Sequence, residues 1–137
     1  DFNKEENQFR KFCKYAFSKG NVVVLIDEVH AYVTKQKILK EYNDLILSGR
    51  PRGISVISVS TRPASLPNNV LTNAKHVFTF RLNIESDVKF LEGWLGSEVW
   101  QVVQQNKRMK HQDLPELPEH SFFYRNMDEH EGQIGKV

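Results

Sequence analysis

Phe9, Phe12, Cys13, Ala16 and Phe17 fall at i, i+3, i+4, i+7 and i+8. That spacing is one face of a helix, with Lys4, Glu5, Arg10, Lys11 and Lys14 left to solvent. Gly20 stands where a glycine just past the last turn stops a helix. The pattern then changes to an unbroken aliphatic run, Val22-Val23-Val24-Leu25-Ile26, the kind of strand buried on both faces of a parallel sheet. Helical spacing returns at Ile38, Tyr42, Leu45 and Ile46, which predicts a second helix over residues 35–48 with Gly49 as its stop. Residues 54–59 read as another strand, too apolar to be an exposed edge. Residues 61–69 hold Pro63 and Pro67 and read as loop, and residues 70–73 as a helical turn. Residues 76–82 alternate and predict a third strand. Ser86 is a suitable N-cap for a helix through Val88, Leu91 and Trp94 that Gly96 ends. Ser97 starts a further helix through Trp100 and Val103. Residues 107–111 are a basic connector, Pro115 and Pro118 mark a turn, and residues 121–125 form a short strand. Residues 126–137 are acidic and read as a hairpin return or a loose tail. Strands alternating with helices indicate an α/β fold with a parallel sheet.

Composition narrows the class. The chain has 137 residues, 39% hydrophobic and 26% charged, which is globular and fits one domain rather than two. No apolar run approaches the roughly 20 residues that a membrane-spanning helix needs. The single cysteine, Cys13, cannot pair within the chain and fits a reducing compartment, consistent with a cytoplasmic setting. The formal charge of +2 does not by itself argue for nucleic acid. The chain opens on Asp1, inside a segment already patterned as helix, which suggests a fragment or a processed product.

The candidate chemistry starts where the first strand ends. Val22 to Ile26 runs directly into Asp27 and Glu28, and sites in open α/β sheets lie outside the carboxyl ends of strands. One carboxylate can serve a Mg²⁺ shell while its neighbour orients and activates water, the two roles phosphoryl transfer requires. The plainer alternative is a pair of acids favoured by the dipole of a following helix. His30 reads as a packing or supporting residue rather than a metal ligand, because no ligand-spaced His or Cys accompanies it. A second string, Ser60-Thr61-Arg62-Pro63, follows the 54–59 strand and would share the rim with Asp27 and Glu28. Arginines near a phosphate site can stabilise transition-state charge, from the same subunit or a neighbour. The plain reading is a proline-rich loop with solvated arginines.

Taken together these strings resemble the FtsK/HerA superfamily of P-loop ATPases, which includes DNA translocases, conjugative-transfer ATPases and viral genome-packaging ATPases. Residues 22–31 resemble the Walker B motif with its catalytic glutamate. Residues 45–67 resemble the family's helix, Gly-Arg turn, strand and sensor loop. Residues 76–82 with Ser86-Asp87 resemble the next strand and helix start, and residues 114–124 the closing turn and strand. The resemblance implies a RecA-like core of the additional-strand type, of which residues 1–137 would be the C-terminal portion. It implies ATP and Mg²⁺ as cofactors, with Asp27 on the Mg²⁺ side through water and Glu28 as general base. Thr61 falls where the family usually has a glutamine, a departure that shortens the reach to the γ-phosphate, and Ser60 would share its task. Arg62 matches the loop arginine. Arg50 is the first choice for an arginine finger acting across a subunit boundary, ahead of Arg52 and Arg81. Double-stranded DNA and a homo-oligomeric ring are the implied partners.

A larger departure is the absence of any G-x-x-x-x-G-K-[ST] phosphate loop from the sequence. Only residues 1–21 precede the Walker B strand, and they read as helix. In the family the first strand lies between the sensor strand and the strand of residues 76–82, so a gap is expected between those two here. The phosphate-holding half is therefore expected from upstream residues, and the chain alone is expected to bind ATP poorly. Lys107, Arg108 and Lys110, with Lys35, Lys37 and Lys40, would supply sequence-independent contacts to DNA phosphates, unless they are solvated surface. The competing function is a catalytically incomplete ATPase-like module acting as a scaffold or interaction subunit. The aromatics Trp94, Trp100, Phe122 and Phe123 read as core or subunit interface.

Overall fold

The computed structural model describes residues 2–82, 84–96, 121–129 and 132–136. The chain divides into two units, Asp1–Asn73 and Ala74–Val137.

The first unit contains α1 (Phe2–Lys19), β1 (Val23–Ile26), α2 (Lys40–Ser48), β2 (Ser55–Ser58) and the short α3 (Asn68–Thr72). The two strands pair in parallel, with Val24 opposite Val56 and Ile26 opposite Ser58. Phe9, Cys13 and Ala16 of α1 bury against Val24 and Ile26 of β1 and Tyr42 and Leu45 of α2, in one cluster with Val29, Val33, Leu39, Ile54 and Leu66. The Phe9 ring stacks on Tyr32 at 4.3 Å. Tyr42 is wholly buried, and its hydroxyl is satisfied by Ser58 Oγ at 3.0 Å. Desolvation holds the Tyr42 phenol above its ordinary range, and the Ser58 bond opposes that shift. Burial also pushes the Cys13 thiol up to about 12, with the Glu41 charge adding to it, so this cysteine is a packing residue and not a nucleophile.

A lattice of charges fastens α1 to the segment leading into α2. Glu6 accepts from Arg10 at 3.0 Å and from Lys37, while Arg10 also reaches Glu41 at 2.9 Å. Lys37 and then Arg10 hold the Glu6 carboxyl below its ordinary value. Glu41 is lowered by its own backbone N–H and by the Arg10 and Lys14 charges. At the far end of α1, Arg52 donates from Nε to the Phe17 carbonyl at 2.9 Å and stacks on the Phe17 ring at 4.8 Å. It thus occupies the unsatisfied carbonyls of the helix terminus.

Several expectations are corrected here. The second helix begins at Lys40, not near residue 35, because Thr34 and Lys37 exchange backbone bonds of 2.9 and 3.0 Å that close a tight turn. Ile38 therefore precedes the helix and is exposed, and Phe12 faces solvent on the margin of α1. The aliphatic run of β1 is not buried on both faces. Val24 and Ile26 are buried, but Val23 is 70% and Leu25 63% exposed, on a face that also exposes Ile57 of β2. The helices of this unit cover one side only. Gly49 does cap α2, as expected, but right-handed at φ −75°, and the chain reverses at Gly53, φ 70°, where a Cβ would lie 2.2 Å from Asn21 Oδ1.

The second unit contains β3 (His76–Thr79), α4 (Glu85–Leu95), β4 (Ser121–Asn126) and β5 (Gly132–Lys136), with the strands in the order β3-β4-β5 and both pairings antiparallel. The expectation of a parallel sheet thus holds for β1 and β2 alone among the described strands. The acidic end is a hairpin return, not a loose tail: Asn126 Oδ1 accepts the Asp128 N–H at 3.1 Å, and β5 follows. Ser86 is not the N-cap of α4. It lies inside the helix, which Ile84 caps without a side-chain bond, while Gly96 ends it at φ 85° as expected. Val88, Leu91 and Leu95 of α4 are buried, as are Val77 and Phe123 of the sheet. Phe78, Tyr124 and Phe122 share the other face, with Phe78 4.8 Å from Tyr124. The helix expected after Ser97, the basic connector with Lys107, Arg108 and Lys110, and the turn at Pro115 and Pro118 lie outside the described residues.

The depressed Glu6 pKa fixes the sign of a pH dependence. A carboxylate held below its ordinary value, here 4.5, contributes stability above that value and loses it as pH falls through the folded one. The stability difference between the native chain and Glu6→Gln, from denaturant melts, is expected to vanish between about pH 6 and about pH 3. A difference independent of pH would remove the ion pairs as its cause.

Candidate functional site

The parallel ladder of β1 and β2 continues past its last paired residues. Val59 N–H donates to the Ile26 carbonyl at 2.9 Å, and Val29 N–H to the Val59 carbonyl at 2.9 Å. These bonds bring the carboxyl ends of both strands to one rim, so Asp27 and Glu28 lie beside Ser60 and Thr61. Buried Val29 anchors the short 3-10 turn Val29–Ala31 beyond. The chain makes that turn by placing Glu28 in the left-handed region, φ 48°, ψ 44°. A non-glycine residue there stores backbone strain of about 1 kcal/mol or more. Asp27 Oδ1 accepts the Glu28 N–H at 2.9 Å and pins the turn from within.

Four side chains meet on this rim. Thr61 Oγ donates to Glu28 Oε2 at 3.1 Å. His30 Nδ1 lies 3.2 Å from the same Oε2 and 3.0 Å from Ser60 Oγ. Ser60 Oγ also accepts the Arg62 N–H at 3.1 Å. The Arg62 carbonyl accepts both the N–H and the hydroxyl of Ser65, at 3.1 and 2.7 Å, which shapes the loop behind the site. Glu28 is half exposed. A threonine hydroxyl has one hydrogen, and here it is given to Glu28. Thr61 can therefore accept from a ligand while holding Glu28, and donates to a phosphate oxygen only after releasing it.

The expected site residues separate into two groups. Asp27, Glu28, Ser60, Thr61 and Arg62 come together at the carboxyl rim. Arg50 and Arg52 sit in the Arg50–Arg52 turn before β2, at the opposite end of a four-residue strand, which spans roughly 13 Å. Neither can serve the rim of its own chain. Arg52 is engaged on α1, which removes it as a finger candidate. Arg50 is exposed, and among the described residues nothing holds its guanidinium. Arg81 belongs to the second unit and is exposed. Nothing in the local pattern of residues signals the left-handed Glu28 or the contact between His30 and Ser60, which joins residues 30 positions apart.

No family model and no curated protein matches the chain. Solved structures do. The genome packaging NTPase B204 from Sulfolobus turreted icosahedral virus 2, in complex with ATP-gammaS, superposes with a TM-score of 0.73 at 19% identity over 95% of this chain. The same protein with sulfate gives 0.72 at 20% identity over 96%. The DNA-packaging ATPase B204 from Sulfolobus turreted icosahedral virus gives 0.64 at 20% over 98%. The fold is shared with these NTPases. The chain spans 61% of the length of the first of them.

Strain at Glu28 is measurable. Glu28→Asn, which tolerates the left-handed region, is expected to raise the unfolding free energy by up to about 1 kcal/mol in denaturant melts. A loss of similar size would show that the Thr61 and His30 contacts outweigh the backbone strain.

Proposed function

We propose that this chain carries the water-activating side of an ATP-hydrolysing motor subunit that translocates or packages double-stranded DNA. It is the Walker B and sensor part, in the C-terminal portion, of an FtsK/HerA-type core with the RecA-like additional-strand sheet. The carrying observation is the meeting of Glu28 and Thr61, from the ends of adjacent parallel strands, in the order that the motif resemblance requires. The fold shared with an NTPase that binds ATP-gammaS supports the same reading.

Among the described residues no cluster of three His, Cys, Asp or Glu side chains forms a protein cage. Mg²⁺ ordinarily keeps waters and takes one or two carboxylates plus substrate phosphates, so a single hard carboxylate at Asp27 fits. When bound, the ion would neutralise phosphate charge. Asp27 would hold its hydration shell from the carboxylate oxygen that does not accept the Glu28 N–H. Glu28, with Oε2 held, would take the proton of the attacking water. Thr61 and Ser60 would sense the terminal phosphate, and Arg62 would add charge beside it. Arg50, at the far end of β2, would act on the nucleotide of the neighbouring subunit in a head-to-tail ring.

In this reading the phosphate cradle is supplied by residues other than these 137. The exposed apolar face of Val23, Leu25 and Ile57 supports it, since a sheet buried on both faces leaves none. Lys107, Arg108 and Lys110 would supply phosphate-backbone contacts. The second reading, an incomplete ATPase-like scaffold, is favoured by the missing phosphate loop. The Glu28–Thr61 bond opposes it, because a domain without catalysis has no use for a strained, half-exposed base.

In the ATPase that contains both halves of the site, Glu28→Gln is expected to keep ATP binding and lower turnover by roughly 10²- to 10⁴-fold. Turnover within a factor of a few of the native rate would remove Glu28 as the base.

A further inference from the structure

Resting on the reading of Glu28 as the base, we propose that His30 is a positioning residue for it: the ring is held as its Nδ1–H tautomer, Nδ1–H and the Thr61 hydroxyl together fix Oε2, and Oε1 is left as the oxygen that takes the water proton.

The tautomer follows from what each neighbour can offer. Nδ1 lies 3.2 Å from Glu28 Oε2, and a carboxylate can only accept. A bare nitrogen lone pair at that distance would face a negative oxygen, whereas an N–H there is attracted to it. Ser60 allows this arrangement. Its Oγ has two lone pairs, one taken by the Arg62 N–H at 3.1 Å, and the other faces Nδ1 at 3.0 Å. The Nδ1 hydrogen is thus directed to the Ser60 hydroxyl with the Glu28 carboxylate oxygen beside it at 3.2 Å, and Nε2 keeps the lone pair. The alternative, a Ser60 hydroxyl donating to a bare Nδ1, leaves that nitrogen opposed to Glu28.

The consequence for function is geometric. Oε2 has two neighbours that can donate, Thr61 and His30, and among the described residues no donor engages Oε1. When a phosphate oxygen competes for the one Thr61 hydrogen, the His30 N–H is the polar hydrogen that remains beside Glu28 Oε2. The ring is three-quarters buried beside a half-exposed carboxylate, so it is the less mobile member of the pair. It transmits the position of the Ser60–Arg62 loop to the base.

Long-range ¹H–¹⁵N spectra of the five histidines, taken at about pH 8, above the usual imidazole range, report the tautomer directly. The signal that disappears in His30→Asn identifies the residue. The expected result is a protonated Nδ1 and a bare Nε2 in the native chain, with the Nδ1–H fraction falling in Glu28→Gln, where an amide can donate. A predominant Nε2–H form in the native chain overturns the proposal. In the ATPase with both halves of the site, His30→Ala is expected to lower kcat roughly 10- to 100-fold with little change in KM. His30→Asn, whose amide N–H stands near the Nδ1 position, is expected to restore part of it. An unchanged kcat in His30→Ala also overturns the proposal. If Glu28→Gln keeps turnover while His30 shows the Nδ1–H form, it is the base assignment that fails and not the tautomer.

Discussion

The structure depends on the parallel registration of β1 against β2. Two backbone bonds beyond the last paired residues, Val59 to Ile26 and Val29 to Val59, bring the ends of the strands level. A slip of one residue would turn Val24 and Ile26 out of the core and carry Glu28 away from Thr61. The register is held by burial on the helix side, where Val24 and Ile26 meet Phe9, Cys13, Ala16, Tyr42 and Leu45. The Tyr42–Ser58 bond fixes β2 to α2 near the same rim. The apolar core and the polar site are therefore one construction: the first sets the register, and the second is what the register places at the strand ends.

That construction has two ends with different chemistry. The carboxyl rim gathers Asp27, Glu28, Ser60 and Thr61, all acceptors or hydroxyls, with Arg62 beside them. The amino end of β2 carries Arg50, held away from that rim by the length of the strand. A single copy cannot bring Arg50 to its own Glu28. A head-to-tail arrangement of copies can bring it to the next one, which is how a polar strand lends itself to a ring. Arg52, its neighbour by two positions, is committed to the carboxyl end of α1.

Much of this was legible in the sequence where the signal is local. The face of Phe9, Cys13 and Ala16, the stop at Gly20, the aliphatic strand into Asp27-Glu28 and the stop at Gly96 all follow from spacing and from residue chemistry within one element. The rest depends on partners far along the chain. Helical periodicity at Ile38 could not reveal that Thr34 and Lys37 close a turn. Ser86 had the chemistry of a cap, but the helix begins one residue earlier. The run Val22 to Ile26 is apolar enough for burial on both faces, and only the packing shows that α1 and α2 cover one. The pairing of Asp27 and Glu28 with Ser60 and Thr61 was inferred from strand order, but the left-handed backbone of Glu28 and the sharing of His30 between Ser60 and Glu28 are three-dimensional facts.

The central claim is that metal-bound nucleotide lies at the carboxyl rim of β1 and β2. Paramagnetic broadening by Mn²⁺–ATP-gammaS, in the protein that contains both halves of the site, tests it most directly. The account predicts that amide signals of Asp27, Glu28, Ser60 and Thr61 broaden first, that Arg50 and Arg52 of the same chain are spared in the monomer, and that Asp27→Asn weakens the effect. Broadening centred on the amino end of β2 or on the β3-β4-β5 sheet, with the Asp27 and Glu28 signals left sharp, would contradict it.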